Sequence, residues 1–187
     1  MRNATLLETN VILHSPKRIV HEKLRMPDGK IVDWYYIDSP QSIIVVPITR
    51  EGRTVMVRQY RHNLKTFTLE FPSGCSSGQE SLEEAARREL LEETGFAVSL
   101  AKMKNLGTFY VLPSETNRHV TFFLAELAER VSSPKLDRVI EEYFEMDTVE
   151  MEFGEAHAQI GRTIQGIETF TALVLASQAL RGPRESG

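Results

Sequence analysis

The chain has 187 residues, 41% hydrophobic and 26% charged, with a formal net charge of −4. That balance suits one compact domain with a small appendage and excludes a disordered or fibrous chain. The negative sign argues against nucleic acid or an anionic membrane as the main partner. A small anionic substrate stays open, because bound metal ions can reverse the sign of a site.

The N-terminal residues lack the long apolar run of a signal peptide. Residues 9–39 read as short strands joined by turns. In Met26-Pro27-Asp28-Gly29-Lys30 the proline presets one backbone angle and the glycine accepts positive φ, a strong turn signal. Ile31–Ile37, which includes Trp34, Tyr35 and Tyr36, is β-branched and aromatic and reads as a strand. Ile43–Val46 and Thr54–Val57 flank Arg50-Glu51-Gly52-Arg53, which predicts a β-hairpin. Apolar stretches such as Ile43–Pro47 and Thr171–Ala176 are too short to span a bilayer. Phe67–Phe71 follows as a further strand. The single cysteine, Cys75, allows no intrachain disulfide, so the expected setting is a soluble protein of the reducing cytoplasm.

Over Ser81–Thr94 the period changes. Leu82, Ala85, Ala86 and Leu90 recur at helical spacing, and Gly95 follows as a C-terminal cap. Strands are expected again over Lys104–Leu112, Val120–Ala125 and Glu142–Met146. Helical segments are expected from about Val149 to Gln159 and from Glu168 to Leu180. No internal repeat or low-complexity tract interrupts this order, and strands interleaved with a few helices give a layered α+β or α/β/α domain.

The helix is rich in acid. Successive side chains lie about 100° apart, so Glu89, Glu92 and Glu93 fall within one arc, on the same side as Leu82, Ala85 and Ala86. Arg87, Glu84 and Leu91 point the other way. Three like charges on a partly buried face repel and lose hydration. Mg²⁺ or Mn²⁺ removes that conflict, since hard cations take oxygen ligands and favour ionised carboxylates. The phase therefore predicts a metal site.

From Gly74 the chain continues with five residues to Glu80, seven more, and then Arg88-Glu89-Leu90-Leu91-Glu92-Glu93-Thr94-Gly95-Phe96. This resembles the Nudix box at every specified position. A chance match in such a chain arises on the order of once in ten million, from average residue usage. The resemblance implies a Nudix fold, an α/β/α sandwich with a mixed sheet, over residues 41–187. It implies hydrolysis of a diphosphate, with Glu89 and Glu93 as principal metal ligands and the carbonyl of Ser73 as another. Glu92 would bind a further ion or order its water, and Arg88 would orient Glu80 or a ligand carboxylate. A proton acceptor is expected outside the box, with Glu142 preferred over Glu141.

Arg58-Gln59-Tyr60-Arg61 followed by Leu69-Glu70-Phe71-Pro72-Ser73-Gly74 resembles the ADP-ribose and nucleoside diphosphate sugar pyrophosphatase subgroup. Residues 1–40 resemble the antiparallel N-terminal strand region through which that subgroup forms homodimers. Candidate substrate contacts are then Trp34 as a base-stacking ring, Arg58, Arg61 and Pro113, with Arg61 either on the diphosphate or paired with Glu70. Relatives often carry an acid where this chain has Arg118, and Glu115 is offset from that position. Glu115 and Arg118 are the remaining candidates; ADP-ribose, GDP-mannose and other nucleotide sugars stay open, with a nucleoside triphosphate sanitising hydrolase and a non-catalytic ADP-ribose sensor as the alternatives.

Overall fold

A computed structural model describes residues 4–15, 17–136 and 145–182. By contact density the chain divides into one unit of Met1–Gln41 with Phe109–Val120 and another of Ser42–Thr108 with Thr121–Gly187.

The first unit carries a three-stranded antiparallel sheet of β1 (Thr5–Leu13), β2 (Arg18–Arg25) and β3 (Ile31–Asp38). The turn between β2 and β3 forms where its residue types demand it: Gly29 has φ 86° and its N–H donates to the Met26 carbonyl at 2.9 Å. That turn fixes the register, with Glu22 opposite Trp34 and Val20 opposite Tyr36. The segment after residue 109 joins β3 through a parallel bridge between Ile37 and Thr116.

The second unit is built on an eight-stranded sheet with β4 (Ser42–Thr49), β5 (Arg53–Arg61) and β10 (His119–Arg130) along its spine. The expected hairpin is present, and the Gly52 N–H donates to the Thr49 carbonyl at 3.1 Å. β6 (Thr66–Glu70), β7 (Ser73–Cys75), β8 (Phe96–Ala97), β9 (Met103–Tyr110) and β11 (Asp147–Glu152) complete the sheet. Every residue of β4 is buried, which requires cover on both faces. Ile43 and Val45 pack with Ala85, Ala86 and Leu90 of α1 (Leu82–Thr94). Ile44, Val46 and Ile48 point to the other face by alternation, and α3 (Ile167–Leu180) also contacts β4. Helices on both faces of a mixed sheet, with the antiparallel N-terminal sheet, make this an α+β protein.

Two expectations need correction. Val149–Glu152 is strand, not helix; only Phe153–Ala158 forms α2, a short helix. The strand wins because Asp147–Glu152 pairs along Arg53–Arg58, with Arg58–Asp147 and Arg53–Glu152 ion pairs beside the ladder. Of the strand expected over Glu142–Met146, residues 142–144 fall outside the described residues; Glu145 lies in a turn at φ 49°, and β11 begins at Asp147. At the other shifted boundary, β9 ends at Tyr110, and Leu112 leaves the extended region at φ 48°.

Candidate active site

The helix that carries the acids is anchored at both ends. Ser81 accepts from the Glu84 N–H at 3.2 Å while the Glu84 carboxylate accepts from the Ser81 N–H at 2.9 Å, a reciprocal capping box. At the far end Gly95 adopts φ 76° and donates its N–H to the Leu91 carbonyl. Between these caps, Ala85, Ala86 and Leu90 bury the inward stripe, and Glu93 is buried with them at 6% exposure. The Glu89 side chain is 14% exposed and that of Glu92 is 43% exposed. The inward turn of the three acids is therefore graded, with Glu92 at the rim.

β7 supplies the opposing surface. The Ser73 N–H donates to Glu93 Oε2 at 2.9 Å. A Cβ on Gly74 would lie 2.1 Å from the Glu89 carboxyl carbon, so only glycine lets the loop approach this acid so closely. Arg88 supplies the positive charge. Its Nε–H and one Nη2–H hold Glu80 at 3.2 and 2.9 Å, and the other Nη2–H donates to the Cys75 carbonyl at 3.2 Å. Its Nη1 donates to Glu89 at 2.7 Å and to Glu92 at 3.0 Å. All five N–H groups of the guanidinium are thus used. The Glu80 hydrogen bonds lead in holding Arg88 well above its ordinary pKa, although desolvation opposes them. Arg88 in turn depresses the Glu80 carboxyl.

The expected charge conflict is therefore partly settled by the chain itself, through Arg88 and the Ser73 amide. Among the described residues no three His, Cys, Asp or Glu side chains already form a cluster able to hold a metal ion. The donor set nevertheless fits a hard divalent cation in kind, being carboxylate oxygen on a helix pressed against a glycine loop. Such an ion would take Arg88's place at Glu89 and Glu92.

Arg61 is found paired with Glu70. Its Nε donates to Glu70 Oε1 at 2.8 Å and its Nη2 bonds the other oxygen, while Thr68 donates to Oε1 at 2.5 Å. Burial alone would push the Glu70 carboxyl up; Arg61 and Thr68 outweigh it and leave the group below its ordinary value. Arg58 lies elsewhere. Its guanidinium sits 3.6 Å over the Phe67 ring and pairs with Asp147 at 3.4 Å. By strand alternation it faces away from Val55 and Val57, so it does not share a surface with Glu70 or with the α1 acids packed beyond Val55.

In the N-terminal unit, Trp34 and Pro113 line one cavity of about 380 Å³ together with Glu22, Tyr36, Tyr110 and Ser114. Tyr35 turns to the other face and stacks on His21, with ring centroids 4.6 Å apart. Glu115 and Arg118 are not in the cavity wall; Glu115 contributes its main chain, accepting from the Ile37 N–H at 2.8 Å. Glu22 was missed from the sequence. Counting the ladder outward from the Met26–Lys30 turn would have placed it opposite Trp34. Glu141 and Glu142 lie outside the described residues.

The NUDIX domain family model matches residues 38–164. An ADP-ribose pyrophosphatase of Bacillus subtilis (strain 168) is 34% identical over 105 residues, 56% of each chain. The chain thus spans just over half the length of that relative. A methanol dehydrogenase activator of Bacillus methanolicus is 29% identical over 136 residues, 72% of this chain and 70% of the relative. A crystal structure of an ADP compounds hydrolase superposes with a TM-score of 0.83, at 20% identity, over 97% of this chain and 96% of the other. The last likeness concerns the fold.

Proposed function

We propose a function on the premise that this chain belongs to the NUDIX domain family, whose members generally use divalent metal ions. The reaction is hydrolysis of the pyrophosphate bond of a nucleoside diphosphate sugar, ADP-ribose, GDP-mannose or a close relative, to a nucleoside monophosphate and a sugar phosphate. The observation that carries it is the carboxylate site itself. Glu93 is tied to the Ser73 amide and Glu89 lies against Gly74, within a complete box on a capped helix. The likeness to an ADP-ribose pyrophosphatase supports the substrate class.

In this reading Glu89, Glu92, Glu93 and the Ser73 carbonyl hold Mg²⁺ or Mn²⁺. Bound ions neutralise the diphosphate and make water more acidic. Arg88 keeps Glu80 and the Cys75 carbonyl as its fixed partners and so holds the loop to the helix. Arg61 positions Glu70 instead of binding the diphosphate. Glu142, in preference to Glu141, accepts the proton from the attacking water. Trp34 stacks on the base. Residues 1–40 serve as the pairing region of a homodimer, supported by the exposed Leu6, Ile12 and Tyr35.

The test is to incubate the purified chain with ADP-ribose, GDP-mannose, UDP-glucose and nucleoside triphosphates, with and without Mg²⁺, and resolve the products by chromatography. Cleavage of nucleotide sugars only with the ion supports the reading, and Glu93→Gln should abolish it. Cleavage of triphosphates alone would reassign the substrate class. Absence of all diphosphate cleavage would sink the enzyme.

A further inference from the structure

The cavity of the N-terminal unit has flat apolar walls of Trp34, Tyr36, Tyr110 and Pro113, with one carboxylate, Glu22, set among them. Glu22 faces Trp34 directly across the β2–β3 ladder, and Tyr36 lies one pleat along on the same face. The Tyr36 O–H donates to Glu22 Oε1 at 3.4 Å. Oε2 remains as an acceptor for an occupant.

The facing wall is held in place. The Leu112 carbonyl accepts from the N–H groups of Glu115 and Thr116 at 2.8 and 3.1 Å. The Thr116 hydroxyl donates to the Ile37 carbonyl at 2.9 Å. Asn117 donates to Asp38 at 2.6 Å and accepts from the Ser39 N–H at 2.9 Å. Thr116 and Asn117 are thus committed within the wall, and Glu22 is the charged acceptor presented to the cavity. An anion between aromatic faces strengthens a hydrogen bond from a donor and penalises a ring edge that brings none.

We propose that Glu22 is a specificity determinant: it accepts a hydrogen bond from the exocyclic amino group of a planar nucleobase stacked on Trp34. This rests on the nucleotide-sugar reading above. It goes beyond it by fixing which bases are preferred and which residue selects them.

Trp34 is the only tryptophan in the chain, so its intrinsic emission reports on this cavity alone. The full chain is titrated, without metal, with adenosine and with purine riboside, which has the same ring and sugar but no amino group. Adenosine should bind at least about tenfold more tightly, the worth of one charge-assisted hydrogen bond. Glu22→Gln should bring the two ligands within about threefold. Tyr36→Phe, which removes only the donor to Oε1, should retain the preference. A wild-type ratio below about threefold, a ratio unchanged in Glu22→Gln, or no quenching by adenosine would each overturn the assignment, the first and last without recourse to a variant. Hydrolysis of ADP-ribose alongside a ratio near one would sink the Glu22 role and leave the pyrophosphatase. A strong preference for adenosine without hydrolysis would do the reverse.

Discussion

Two glycines flank the carboxylate helix, and their substitution should fail in different ways. At Gly74 an added Cβ meets the carboxylate of Glu89, the far end of a flexible side chain. That acid can swing aside, so Gly74→Ala should fold with a Tm within about 2 °C of wild type, which corresponds to under about 1 kcal/mol for a chain of this size. It should nonetheless lose about a hundredfold in kcat, the usual scale for a reacting group displaced by about 1 Å. At Gly95 the added Cβ would lie 2.1 Å from the Ser132 carbonyl oxygen, and φ is 76°. Backbone cannot swing aside, and left-handed strain alone costs about 1–2 kcal/mol. Gly95→Ala should therefore be destabilised by at least about 2 kcal/mol, read by urea denaturation. At this scale the inward turn of Glu89 and Glu93 was legible, because helical phase governs it. It was illegible where a long side chain chooses among partners: Arg61 was open between diphosphate and Glu70, and only the structure shows its fork on Glu70.

Elements add their own terms. The capping box satisfies two N–H groups at the start of α1, so Ser81→Ala should cost about 1 kcal/mol. In a chain of this size that lowers Tm by about 2–4 °C, measurable by calorimetry. The β5–β6 pair makes a pH-dependent contribution through Glu70, whose carboxyl is below its ordinary value of 4.5 in the folded chain. Stability from such a group is fully present above the unfolded value and is lost as pH falls through the lower folded one. Glu70→Gln should therefore be less stable than wild type at neutral pH but lose less between about pH 5 and pH 3. Urea midpoints across that range check the sign. The α1 helix could be read in advance because its caps and apolar stripe lie within its own sequence. β11 could not, because what makes Asp147–Glu152 a strand is the facing edge of β5, over 80 residues away in the chain. Glu22 stands between these cases, its neighbour Trp34 being fixed by a short turn but visible only once the ladder is counted.

At the scale of the whole molecule, no described helix is long and apolar enough to cross a membrane. Net charge is modest at −4, so binding of the proposed polyanionic substrate would depend on local charge, not on the overall field. Arg88 supplies part of that local charge and is already shared among Glu80, Glu89 and Glu92. On the proposed ligand set a divalent ion would compete with it for Glu89 and Glu92, which would weaken the apparent affinity without removing the linkage to folding. An ion that binds the folded chain and not the unfolded one stabilises by about 2.7 kcal/mol at a hundred times its Kd. For a chain of this size that raises Tm by about 5–10 °C. The predicted signature is a Tm that climbs with Mg²⁺ or Mn²⁺ from a baseline in EDTA, and does not climb in Glu93→Gln. Because Glu93 is buried and bonded to the Ser73 amide, the variant's baseline will also shift, so the quantity to compare is the rise with ion and not the absolute Tm. An equal rise in both proteins would place the ion somewhere other than the α1 acids, and no rise in wild type would remove the metal from the proposed site.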